Sequence, residues 1–212
     1  MVYKFSKYDR LGYSLNISNK YFYEGVTSFL DKLVTLVALF LAFPILFLVA
    51  IAIKIEDGGP IFYSQKRLGQ NGSVFTIYKI RSMVVNAEIN GIRWASEEDD
   101  RITHVGKFIR KTRIDEIPQL INILSGDMKL IGPRPERPEL ADEFYKELPE
   151  FVNRLLIKPG LTGLAQVSGG YDLTPAEKLI LDVEYIENRG FLLDLKIIFK
   201  TIGVVITGEG AR

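Results

Sequence analysis

The 212 residues contain no cysteine, one histidine and one tryptophan, and their charges nearly cancel at a net +1. Without thiols there is no disulfide and no thiolate zinc site, so a reducing cytoplasm is permitted but not required. A Ser-His-Asp site would have to centre on the lone His104, whose place just before Gly106 in a polar stretch reads instead as a surface or turn position. The charge balance excludes a global basic face for nucleic acid. The basic run from Lys107 to Arg113 is local, and neither interleaved aromatics nor a DNA-binding motif accompanies it. Motif spacing marks no second domain, and 47% hydrophobic content suffices for one domain with a core.

What is present is an adjacent acid pair, Asp115-Glu116, preceded by Arg110, Lys111 and Arg113 and followed by Gly132-Pro133-Arg134-Pro135. Nearby cations favour an ionised carboxylate, which can attack an electrophile or hold a metal. Pro118 is tolerated in a helix's first turn, so the helix through Leu120, Ile123 and Leu124 to Gly126 is expected to begin near Asp115. The pair would then lie at a helix N-terminus, where backbone N–H groups favour anions. Equally, Asp115 could be a plain N-cap and Glu116 a first-turn acid. The two prolines fix Arg134 on a stiff backbone, a placement suited to bidentate phosphate recognition.

The second feature is an apolar run from Leu33 to Ile53, long enough to cross a bilayer but interrupted by Pro44, where a kink is expected. Lys4, Lys7, Arg10, Lys20 and Lys32 precede it; Lys54, Lys66, Arg67, Lys79 and Arg81 follow. Five cations against five select neither orientation, as expected if both ends stay cytoplasmic. The run is too long and too far from Met1 for a signal-peptide core, and residues 1–30 read as an N-terminal extension whose Tyr21, Phe22 and Tyr23 suit the headgroup level. Residues 58–65 and 73–80 read as a hairpin around Gly69-Gln-Asn-Gly72, with Lys79 sharing the face of Phe75 and Ile77. Lys79 and Arg81 could be edge-strand cations and no more. Residues 86–100, ending Glu97-Glu-Asp-Asp100, read as a mobile loop with a solvated acidic run. Residues 139–156 carry a narrow apolar stripe of Phe144, Leu148, Phe151 and Leu155 that should pack on the domain. Residues 191–206 are apolar on most sides, but Asp194, Lys196 and Lys200 point to an interfacial helix with lysines at headgroups, a buried core helix being the alternative.

The order Lys79-Ile-Arg81-Ser-Met83, Asp115-Glu116, Gly126-Asp-Met, Gly132-Pro-Arg-Pro135, Lys158-Pro-Gly-Leu-Thr-Gly163, Ala165-Gln-Val167 and Leu181-Asp-Val-Glu-Tyr185 resembles that of the bacterial sugar transferases. These are small monotopic phosphoglycosyl transferases that begin assembly of capsule, exopolysaccharide or other surface glycans. The resemblance runs from about Asp31 to the C-terminus. It implies an α+β, mostly helical fold in which a re-entrant membrane helix, residues 31–54 and broken at Pro44, precedes a cytoplasmic catalytic region, 55–212, with a small hairpin and amphipathic interfacial helices. It implies transfer of a sugar 1-phosphate from a UDP-sugar to undecaprenyl phosphate at the cytoplasmic face of the bacterial inner membrane, releasing UMP.

Asp115 would be the nucleophile, forming an aspartyl sugar-phosphate; Glu116 would share a Mg²⁺ ion with it or assist proton movement. Lys79, Arg81, Arg110, Pro133, Arg134, Pro135 and Gln166 would bind substrate, with Asp182, Glu184 and Tyr185 equally readable as structural contacts. The partners implied are the two substrates and the lipid bilayer, with a homodimer allowed and no nucleic acid. The chain departs from the family pattern at Phe43-Pro44, where relatives usually have Ser-Pro. It departs again at Gly170, commonly arginine, and at Leu164, often tryptophan. Two other readings remain open: a membrane-anchored glycosyltransferase releasing UDP, and a non-enzymatic anchored module.

Overall fold

The computed structural model describes residues 20–89, 91 and 99–208. The apolar run lies within α1, Tyr21–Glu56, which begins ten residues before the expected start of the membrane segment and continues through Pro44. At the α-helical rise its 36 residues measure about 54 Å. It is the one helix, among the described residues, long and apolar enough to cross a membrane. One stripe of it docks on the rest of the chain. Tyr23, Thr27, Thr35, Val49 and Ile53 are buried, and Ala38, Leu39 and Leu46 pack against core clusters, while Phe40, Phe43, Phe47 and Leu48 are exposed on the other side. Spacings of three and four keep the docked positions on one helical face.

Tyr21 and Phe22 are exposed, but Tyr23 turns inward rather than toward headgroups. Its hydroxyl donates to Asp194 at 2.6 Å, and the Tyr185 hydroxyl donates to the other carboxylate oxygen at 3.0 Å. Lys129 donates to Thr27 at 2.9 Å, and Asp31 accepts the Leu130 N–H at 3.3 Å. The first three turns of α1 are thus held by polar contacts, the middle by apolar ones, and the end by Glu56, which accepts the His104 N–H.

β1, Phe62–Leu68, and β2, Val74–Ile80, form the expected antiparallel hairpin. The connection is a 3-10 turn in which Asn71 takes a left-handed φ of 56°, a conformation asparagine tolerates. Phe75 and Ile77 face a core shared with Leu120, Ile123 and Met128. After α2, His104–Lys111, comes a 3-10 turn, Ile114–Gln119, and then α3, Leu120–Ser125. The α-helix therefore starts later than expected: Pro118 has no N–H to give, so regular α-helical bonding is established only beyond it. His104 is an exposed residue in the first turn of α2.

Asn122 on α3 is buried and treats the outer edge of β2 as a strand would. Its Nδ2 donates to the Thr76 carbonyl at 2.7 Å and its Oδ1 accepts the Tyr78 N–H at 3.3 Å. A second, parallel pair, β3 (Lys129–Ile131) with β4 (Gly160–Thr162), has too few residues for a legible pattern. Its backbones come so close that a Cβ on Gly160 would lie 2.0 Å from the Gly132 nitrogen.

The stripe over 139–156 splits at Pro149 into α4, Pro138–Glu147, and a 3-10 segment, Pro149–Leu156; Phe151 and Leu155 are buried in the cluster it was expected to join. α5 spans Pro175–Asn188 and starts with a Thr174–Glu177 capping box. α6, Phe191–Thr207, buries only Asp194 and Ile197, and exposes Phe191, Leu192, Leu195, Phe199, Ile202 and Ile206. It is not a buried core helix. Asp194, however, faces the two tyrosines inside and not the outer surface, because its carboxylate is worth more bonded than solvated beside apolar side chains. Residues 1–19, 90 and 92–98, carrying most of the N-terminal extension and Glu97 and Glu98, lie outside the described residues. Asp99 is within them and is buried against Arg101, at 2.5 Å, so this part of the acidic run is not solvated.

Asn122→Ala would leave a strand donor and acceptor buried without partners. A loss of about 1–3 kcal/mol per group is expected, read as a lowered denaturation midpoint of the solubilised protein. A variant as stable as wild type would show that this bridge does not hold α3 to β2.

Candidate active site

The acid pair sits in the 3-10 turn, entered through Arg113 in a left-handed conformation with φ 58°. A non-glycine residue held there marks local strain of the kind that clusters at functional sites. Neither acid caps a helix: the residue before the turn is Arg113, the residue before α3 is Gln119, and neither end shows a side-chain cap. The N-cap alternative for Asp115 therefore falls.

The two carboxylates have opposite environments. The Oε1 atom of Glu116 accepts from Lys79 Nζ at 2.9 Å and from Arg134 Nη2 at 2.6 Å. Burial opposes ionisation of Glu116, but Arg134 and Lys79 outweigh it and hold the carboxyl well below its usual range. Asp115 is buried, 7% exposed, and no hydrogen bond to its carboxylate is found among the described residues. Burial pushes it up to about 6, with Lys79 opposing and Glu116 adding to the shift. The expectation that Arg110, Lys111 and Arg113 hold Asp115 firmly ionised is thus corrected: burial outweighs the nearby cations, and Lys79 and Arg134 bond its neighbour instead.

Asp115 lines a cleft of about 790 Å³ together with Lys79, Arg81, Arg110, Arg134 and Gln166 among others, and Glu116 stands behind two of these cations, Lys79 and Arg134. Arg110 donates Nε to Ser82 Oγ at 3.0 Å and keeps Nη1 buried without a partner, so one edge of its guanidinium is available to an anion. Gln166 has both amide atoms buried and unpartnered. Arg81 lines the cleft with its guanidinium engaged. It pairs with both oxygens of Asp57 at 2.7 and 2.5 Å and bonds the Pro60 and Met83 carbonyls, fastening the end of α1 to the end of β2. Asp57 is correspondingly held down to about 2 by Arg81.

Pro133 and Pro135 contribute their carbonyls, which accept from Gly160 N and Arg67 Nη1. Arg154 carried no sequence signal of its own and proves central. It donates to the Arg134 carbonyl at 2.9 Å and to Asp182 at 2.5 Å in a buried pair, and its guanidinium stacks 4.5 Å from the Phe151 ring centre. Asp182 and Tyr185 are consequently structural here, joined to Arg154 and to Asp194. Arg137, which bonds Glu88 across the cleft mouth at 2.7 Å, was also illegible, since neither residue lies in a motif.

A Mg²⁺ ion keeps several waters and is usually held by one or two carboxylates together with substrate phosphates. Among the described residues no group of three or more acids or histidines gathers. The pair Asp115–Glu116 still meets that minimum, because Asp115 is uncommitted, so the donor set fits an ion completed by a phosphate-bearing ligand and not a closed protein cage.

A family model described as bacterial sugar transferase matches residues 22–208. The UDP-N-acetylgalactosamine-undecaprenyl-phosphate N-acetylgalactosaminephosphotransferase of Aeromonas hydrophila is 43% identical over 193 residues, 90% of this chain and 46% of that protein. The undecaprenyl-phosphate galactose phosphotransferase of Salmonella typhimurium is 41% identical over 171 residues, 74% of this chain and 35% of that protein. The exopolysaccharide production protein ExoY of Sinorhizobium fredii is 38% identical over 196 residues, covering 85% of each. The chain thus spans less than half the length of the first two.

Replacing Arg154 by Met leaves Asp182 charged and buried, and a cost of about 3–5 kcal/mol is expected. Adding Asp182→Leu should recover most of it in the same denaturation measurement. Independent, additive losses from the two changes would exclude a coupled pair.

Proposed function

The chain belongs to the bacterial sugar transferase family, and from that premise we propose that it transfers a sugar 1-phosphate from a UDP-sugar to undecaprenyl phosphate, releasing UMP, as the first membrane step of a capsule, exopolysaccharide or related surface glycan. The observation that carries this reading is the division of labour in the acid pair. Glu116 absorbs two cations, and Asp115 beside it is buried, unbonded and titrates at about 6. A carboxylate with that pKa is mostly ionised at neutral pH, yet has neither hydrogen bonds nor a full water shell to shed before it attacks.

In the proposed cycle an Asp115 oxygen attacks the sugar-proximal phosphorus of the donor. A new P–O bond forms, the P–O bond to UMP breaks, and UMP departs with the bridging oxygen. The lipid phosphate oxygen then attacks the same phosphorus, and the Asp115–phosphorus bond breaks to regenerate the carboxylate. Arg110 and Arg134 offset the donor's charge, since guanidinium matches phosphate geometry. Mg²⁺ held by Asp115 and Glu116 would supply further neutralisation of the diphosphate. The names of the relatives span N-acetylgalactosamine and galactose, so the donor is proposed as a UDP-sugar without choosing the hexose.

Incubation with labelled UDP-sugar and Mg²⁺ without lipid should leave label on the protein and release UMP in stoichiometric amount. Asp115→Asn should abolish both with the fold unchanged, lowering turnover by several orders of magnitude. Because Asp115 must be deprotonated, kcat/KM should be level above pH of about 6 and fall about tenfold per unit below it. Release of UDP would indicate sugar transfer without phosphate, and an active Asp115→Asn protein would falsify the covalent route.

We further propose that the catalytic region lies at the cytoplasmic face of the bacterial inner membrane, with α1 re-entering at Pro44. The support is that both ends of α1 dock on one folded unit. Tyr23 bonds Asp194 near the start, and Glu56 accepts the His104 N–H at 2.6 Å at the end. A membrane-crossing helix would put its two ends on opposite sides of about 30 Å of hydrocarbon, where a single folded unit could not meet both. The absence of native cysteine allows a direct check. Cysteines at Tyr21 or Lys107 should resist an impermeant maleimide in spheroplasts and react after lysis. Labelling of the Tyr21 variant before lysis would rule the re-entrant placement out.

A further inference from the structure

Building on the proposed transfer reaction, we infer that Lys200 on α6 receives the phosphate of the lipid acceptor, in a part of the cleft separate from the donor's cations. The assignment comes from how the cleft's positive charges are spent. Among the described residues lining it, Lys79 and Arg134 bind Glu116, Arg81 binds Asp57, Arg101 binds Asp99, Arg137 binds Glu88 and Arg154 binds Asp182. Arg67 bonds the Pro135 carbonyl and Gln65, and Arg113 and Lys178 also have partners. Two cations remain. Arg110 stands five residues before Asp115 and keeps a buried, unpartnered Nη1. Lys200 is exposed to the cleft, with neither a hydrogen bond nor an ion pair among the described residues.

The position of Lys200 selects the lipid as its ligand. α6 exposes Phe199, Ile202 and Ile206 on one side while Lys200 and Val204 line the cleft on the other, so the helix borders both an apolar surface and the cleft that Asp115 lines. A phosphate carried on a hydrocarbon chain can satisfy both faces at once; a soluble nucleotide gains nothing from the apolar one. The helix is fixed to the site by a Thr162–Thr201 hydrogen bond of 2.8 Å and by Ile197 in a cluster with Leu164 and Val167. These contacts also bring the loop carrying Gln166, whose unpartnered amide can donate to a phosphate oxygen, against the same helix. Lysine suits this role, since three rotatable donors on a flexible stem can follow a phosphate from the surface inward.

The test measures acceptor binding apart from turnover. Undecaprenyl phosphate is titrated into solubilised full chain carrying Asp115→Asn, which needs no chemistry to report binding. Adding Lys200→Ala should weaken acceptor binding by about tenfold or more, the loss of a charge-assisted bond. UDP-sugar binding should not move, and Lys200→Arg should restore most of the acceptor affinity. Lys196→Ala, one turn earlier and outside the cleft lining, should change neither. Weakened donor binding in the Lys200→Ala protein would make it a nucleotide contact and overturn the assignment. Equal losses for Lys196→Ala and Lys200→Ala, matched by equal losses in sedimentation with phosphatidylglycerol vesicles, would reduce both lysines to headgroup contacts and overturn it as well. Failure of the parent reading shows elsewhere, as a wild type that releases no UMP.

Discussion

Glu116 ties together three segments that are far apart in the chain. Lys79 arrives on β2, Arg134 on the rigid proline segment, and the acid itself on the 3-10 turn, all meeting at one carboxylate oxygen. Burying three charges is costly in isolation, and the arrangement holds because each loss of hydration is offset by a short, charge-assisted bond. Its chemical consequence falls on the neighbour. With Lys79 and Arg134 engaged by Glu116, Asp115 is left buried and unbonded, and burial raises its carboxyl to about 6. Two adjacent residues of one chemical type thereby meet different environments, one bonded to two cations and one buried without a bond.

Around that centre the cleft is built from pairs that cancel. Arg154 with Asp182, Arg81 with Asp57 and Arg137 with Glu88 each fasten segments remote in the chain, and Arg101 with Asp99 closes a local turn. Such pairing explains how a chain of net charge +1 can line one cleft with many arginines. Most of that charge positions backbone, as Arg154 does at the Arg134 carbonyl, and only a remainder is available to ligands. What the cleft offers an anion then depends on where the uncommitted cations stand, not on how many cations there are.

The docking of α1 uses two kinds of contact in sequence. Tyr23, Thr27 and Asp31 reach polar partners, whereas Leu39, Leu46, Val49 and Ile53 pack on apolar ones. The outer side is apolar nearly throughout, and with the exposed face of α6 it offers hydrocarbon-compatible surface on the same unit as the acid pair. An apolar outer surface and a buried, unbonded carboxylate are therefore carried by one scaffold.

Much was legible in the sequence because local rules govern it. The hairpin followed from alternation and turn residues, and placing Lys79 on the face of Phe75 and Ile77 already aimed it at the site. The acid pair, the stiff arginine and the long apolar segment followed from residue types at short spacing. Tertiary structure decided what depends on distant partners. It decided which acid takes the cations, because Lys79 and Arg134 are remote from Glu116 in the chain and only folding sets the distances. It turned Tyr23 and Asp194 inward, split residues 139–156 at Pro149, and gave Arg81 and Arg154 their anchoring work. Periodicity reports which face of an element is apolar; a charge's partner is a matter of long-range geometry, and no local pattern encodes it.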